Sequence, residues 1–70
     1  MDYVIVIERA PDGSYSAYVP DLPGCVACGD TPDEARRLIA EAVPLHIESL
    51  RQHGEPVPPP TTLVGTVHAA

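Results

Sequence analysis

A chain of 70 residues with ten carboxylates against four arginines and no lysine carries a formal net charge of −6. Nucleic-acid binding needs clustered cations to displace counterions, so direct binding of that kind is not expected; a basic protein partner suits the charge better, though the same charge also serves simply to keep a small domain in solution. Only about 60% of the unfolded surface is buried at this length, and a core with no Phe and no Trp is light in area, so self-association into a dimer or tetramer is expected.

There is no basic-then-apolar leader, and the longest uninterrupted apolar run, Tyr3 to Ile7, is far too short to span a bilayer. One cytoplasmic domain over residues 1–70 with reduced thiols and no membrane contact is the resulting expectation. YVIVIER, Tyr3 to Arg9, is β-branched and apolar on both faces and predicts a buried strand. APDG, Ala10 to Gly13, has proline and glycine at the second and fourth positions of a type I turn and predicts a hairpin. SYSAYV follows as a second strand, with Tyr15, Ala17 and Val19 on one face and Ser14, Ser16 and Tyr18 on the other. PDLPG interrupts the pairing, and CVACG has the length of a short third strand.

DTPDEA predicts the start of a helix: Thr31 as cap, Pro32 at the first helical position and Glu34 three residues after the cap. The helix runs from Pro32 to about His53, with Gly54 as stop signal. At roughly 100° per residue, Ala35, Leu38, Ile39, Ala42, Val43, Leu45, Ile47 and Leu50 share a broad apolar face. Pro44 falls on the polar side, which allows either one bent helix or two helices broken at Val43. EPVPPP, Glu55 to Pro60, predicts a stiff extended connector, and TTLVGTV, Thr61 to Val67, a last strand. The expected fold is α+β, in the order β-β-β-α-β, with one helix on a small mostly antiparallel sheet.

Chemistry-bearing residues are present without chemical context. Cys25 and Cys28 form a Cys-x-x-Cys, but in a strand residues three apart face opposite sides. A structural zinc wants four ligands, and His46, His53 and His68 lack the spacing to supply the others; a thioredoxin-like pair would sit at a helix start. The two thiols therefore read as scaffold, with a metal or redox site as the alternative. His46 lies near the middle of the apolar helix face, as a core histidine would. Asp2 and Glu8 flank the first strand roughly 20 Å apart, too far to share a metal. No nucleophile elbow or phosphate-binding glycine loop occurs. No catalytic residue, metal or cofactor is expected. The corner PDLPGC…GDT is rigid, and it reads equally as a turn or as a contact surface that exposes Asp21 and Leu22.

YVPDLPGC (Tyr18 to Cys25), then GDT and an acidic pair up to Ala35, and a weaker GEPVPPP tail (Gly54 to Pro60) resemble the HicB-like antitoxins of bacterial toxin–antitoxin pairs along nearly the whole chain. The resemblance implies a partial ribonuclease-H-like fold without nuclease activity. It also implies an antitoxin that covers the active face of a small basic, HicA-type toxin that cleaves messenger RNA. Many family members carry a C-terminal DNA-binding domain; this chain ends after one more predicted strand, so operator binding is not expected. The alternative is a solitary oligomeric binding domain without a toxin. Candidate partner contacts are Tyr18, Asp21 and Leu22 on the corner, with Glu41 and Glu48 as acidic contacts on the helix, where a solvated face is the competing reading.

Overall fold

The computed structural model describes residues 1–70. Three strands, β1 (Val6–Arg9), β2 (Tyr15–Tyr18) and β3 (Val26–Gly29), form an antiparallel sheet in chain order, and one helix, α1 (Pro32–Gln52), packs across one face. The α+β class and the order β-β-β-α are as the sequence predicts.

The first connection is a hairpin. Gly13 N–H donates to Ala10 O (3.0 Å) and Ala10 N–H to Ser14 O (2.8 Å). Gly13 takes the left-handed conformation (φ 88°) that closes such a turn. The Asp12 carboxylate accepts from both the amide and the hydroxyl of Ser14, which fixes the loop and lowers the Asp12 pKa.

Strand β1 is shorter and less buried than YVIVIER suggests. The register Val6↔Tyr18 would place Val4 opposite Pro20, which has no N–H to give, so the ladder stops at Val6. The strand is also a sheet edge, and Val6 and Ile7 are half-buried rather than enclosed on both faces.

The helix is continuous through Pro44, which lies on the exposed side where the carbonyl it leaves without a donor is open to water. At its start the Thr31 hydroxyl accepts from Glu34 N–H (3.1 Å), while the Glu34 carboxylate accepts from Asp30 N–H, one residue further back than in a standard capping box. At its end Gly54 (φ 67°) turns the chain. Its N–H donates to Arg51 O and that of Glu55 to Leu50 O, the paired bonds of a Schellman motif. Leu45 is not on the packed face. It lies about 120° from Ile39 on the wheel and is 67% exposed.

The core is Ala17, Val19, Leu22, Cys25, Ala35 and Ile39, edged by half-buried Tyr3, Ile5, Ile7, Ala42 and Ile47. The helix approaches the sheet most closely at Gly29, where a Cβ would lie 2.7 Å from the backbone nitrogen of Ala35.

The predicted last strand does not form. Thr61 to Val67 makes no sheet pairing, and Leu63 onward is exposed. Pro58, Pro59 and Pro60 have no N–H for a ladder, and the amides of Thr61 and Thr62 are bound to the Asp21 carboxylate. The connector before it is more than a linker. Val57 and Pro58 are half-buried, and the Tyr3 hydroxyl donates to Pro58 O.

Gly29→Ala should lower stability by about 2 kcal/mol, because only backbone atoms stand in the way and the helix start must shift. In a chain of this size that is a drop of about 10 °C in Tm, read by circular dichroism.

Candidate partner-binding surfaces

The segment Val19 to Cys25 is two proline turns in tandem. Leu22 N–H donates to Val19 O (3.1 Å), closing the first with Pro20 at its second position. Cys25 N–H donates to Leu22 O (3.0 Å), closing the second with Pro23 followed by Gly24 at φ 87°, the geometry of a type II turn. Val19 N–H donates to Cys25 O and ties the ends together. Val19, Leu22 and Cys25 consequently project to the same side, into the core.

That geometry corrects one expectation and reshapes another. Leu22 is fully buried, not an exposed contact, because it is the residue shared by the two turns and points under α1. Asp21, the neighbouring corner residue, faces the C-terminal segment. Its Oδ2 accepts from the amides of Thr61 (3.1 Å) and Thr62 (3.0 Å), and its Oδ1 from their hydroxyls (3.0 and 2.9 Å). These four bonds, the Thr62 amide foremost, hold the Asp21 pKa below the ordinary carboxylate value. No sequence signal marks this pairing, since the partners stand 40 and 41 positions apart.

The other candidates lie on opposite sides of the molecule. Tyr18 is on the sheet face turned away from α1, in a cross-strand row with Val6 and Val26. Tyr18 is 37% and Val26 65% exposed, so this row is an apolar patch open to solvent. Glu41 and Glu48 are exposed on the outer side of α1. Glu41 pairs with Arg37 at 3.5 Å, a surface ion pair of little energetic weight, and Glu48 accepts from Gln52. The structure does not bring Tyr18, Glu41 and Glu48 into one site.

Cys25 and Cys28 face opposite sides as their spacing predicts, Cys25 buried and Cys28 exposed on the Tyr18 face. Burial raises the Cys25 thiol pKa, so it behaves as an inert core residue. His46 is half-buried, with its Cε1 3.8 Å from where a Cβ on Gly24 would lie. No helix is long and apolar enough to cross a membrane.

These features coincide with a known pattern. A family model described as the HicB-like antitoxin of bacterial toxin–antitoxin systems matches residues 3–70. The chain belongs to the HicB-like antitoxin family. It is similar to the UPF0150 protein Ta0767 of Thermoplasma acidophilum, 44% identical over 99% of this chain and 100% of that protein. It is also similar to the UPF0150 protein ssr1765 of Synechocystis, 46% identical over 81% of this chain and 72% of that one. Among solved structures it is similar to the N-terminal domain of the antitoxin HicB of Burkholderia pseudomallei, with a TM-score of 0.69, 34% identity, and coverage of 83% of this chain and 69% of that one.

Two substitutions separate scaffold from contact at the corner. Leu22→Ala should cost about 3 kcal/mol of stability in urea unfolding, whereas a surface leucine would leave the midpoint unchanged. Asp21→Ala should release the tail, because it removes the Oδ2 that both amides share together with the Oδ1 that takes the two hydroxyls. The folded pKa of Asp21 is depressed, so its contribution is complete above the ordinary carboxylate range and lost as pH falls through the lower folded value. Exchange protection of the Thr61 and Thr62 amides should therefore vanish in Asp21→Ala at neutral pH and weaken in the wild type in strong acid.

Proposed function

We propose that this protein is a non-enzymatic, cytoplasmic antitoxin that binds and neutralises a small basic HicA-type toxin and works as a homo-oligomer. The observation that carries the reading is the family match along residues 3–70. Charge supports it: eight of the ten carboxylates, Glu41 and Glu48 among them, are exposed, and an acidic surface speeds encounter with a basic partner. Tyr18, with Val6 and Val26 beside it, supplies the apolar anchor that a stable protein contact needs. Asp21 acts indirectly by holding the tail, and Leu22 by holding the corner. The two free thiols suit a reducing compartment. Nucleic-acid recognition is left to other proteins, because the four arginines, Arg9, Arg36, Arg37 and Arg51, are too few for a phosphate track.

A second reading, a stand-alone oligomeric binding domain without a toxin, is favoured by the Thermoplasma relative, whose whole length aligns with this single unit. Affinity capture of the chain from its own cells, with co-eluting proteins identified by mass, separates the two. The antitoxin reading expects a small basic protein at near-equal stoichiometry that arrests growth when expressed alone and is silenced by co-expression of this chain. Recovery of the chain alone would overturn that reading in favour of the second. In the complex, Tyr18→Ala should weaken affinity about 30-fold. Glu41→Lys with Glu48→Lys should slow association about 10-fold at low salt and little at high salt.

A further inference from the structure

The segment Leu63 to Val67 has no place in its own fold. Leu63, Val64 and Val67 are 92%, 76% and 95% exposed. The radius of gyration is 13.5 Å, where a compact chain of this length would have about 11 Å, and the long dimension is 46 Å against 27 and 17 Å. A β-branched, apolar, extended segment projecting from a folded body forfeits the burial its composition offers.

The same chain presents an edge of matching kind. Strand β1 pairs only with β2, so its outer edge carries unpaired backbone groups. Tyr3 to Ile5, continuing β1 toward the N-terminus, lies outside any ladder. Because α1 sits mainly over β3 and β2, Ile5 and Ile7 at that edge are only half-buried. Strand β3 is the other sheet edge, and it runs within three residues into α1. In an extended strand Leu63, Gly65 and Val67 share one face, which would extend the Ile5 and Ile7 side of the core. In its own chain Leu63–Val67 pairs with no strand, and the two amides before it are bound to Asp21.

We propose that Leu63–Val67 is the strand through which two copies of this chain associate, each laying it along the free β1 edge of the other. One donor and one acceptor per copy close a two-fold dimer with neither left over. Only seven of the 70 residues are buried in the single chain, so a second copy supplies the core it is short of. The proposal rests on the self-association in the reading above and is independent of any toxin.

Sedimentation equilibrium of the full chain tests it, with Val64→Pro, Gly65→Pro and the pair L63D/V67D. Adjacent amides point to opposite sides of a strand, so one of the two prolines must remove a bond to β1. None of the altered side chains holds the folded body together, and the helical circular dichroism signal should be unchanged. The wild type should sediment at twice the chain mass. L63D/V67D and at least one proline variant should dissociate, with a rise in dissociation constant on the order of 100-fold. In a dimer mixed from isotope-labelled and unlabelled chains, Leu63 and Val67 methyl groups should show intermolecular contacts with Ile5 or Ile7. A monomeric wild type would overturn both the exchange and the self-association it rests on. A dimer that survives every variant, or one whose tail contacts β3 instead, would overturn the exchange alone.

Discussion

Everything in this small fold hangs on the burial of Leu22. A three-stranded meander does not need two prolines between its second and third strands; a two-residue turn would join them. The extra length lets the chain dip a large side chain beneath the helix at the point where the strands end. Val19, Leu22 and Cys25 then occupy three neighbouring core positions drawn from seven residues of sequence. With no Phe or Trp available, this local density of aliphatic carbon is what the Ala35 and Ile39 face of the helix packs against. The prolines limit the conformations of the unfolded corner, and Gly24 supplies the one backbone geometry that an L side chain would strain.

From that corner the distribution of surfaces follows. Leu22 pointing inward leaves Asp21 pointing along the rim, where its carboxylate meets Thr61 and Thr62. The pleat that buries Ala17 and Val19 turns Tyr18 outward, and the register sets Val6 and Val26 on either side of it. One face of the sheet is closed by α1; the other carries an aromatic residue, two valines and a free thiol. The acidic helix surface with Glu41 and Glu48 lies on the far side from the Tyr18 row.

Most of the local structure was legible because it is written in neighbouring residues. The hairpin at Pro11 and Gly13, the cap at Thr31 and the stop at Gly54 each rest on side chains or φ values a few positions apart. Pro44 was legible only in part: its place on the wheel allowed one bent helix or two broken at Val43, and the helix is continuous. What failed to show was long-range. The direction of Leu22 depends on two turns sharing a residue, and sequence pattern treats a leucine between prolines as exposed. The Asp21 clasp spans 40 residues and uses threonines that by composition looked like strand. Leu45 was misplaced for a plainer reason: the apolar arc was drawn wider than the sheet that covers it. The family motif was legible as a pattern, yet what it encodes at Leu22 is packing, and only coordinates separate that from recognition.

Two copies each carrying −6 repel one another, which bears on how such a chain pairs with itself. From Pro56 onward the sequence contains no Asp, Glu, Lys or Arg. An association built from that segment therefore adds no carboxylate to the contact, whereas apposing two helix surfaces would bring Glu41 and Glu48 against their copies. The proposed dimer keeps the uncharged part of the molecule for itself and leaves the acidic part for a basic partner. Self-association and partner binding then draw on different residues, and the Asp21 carboxylate fixes the two threonines from which the uncharged segment starts.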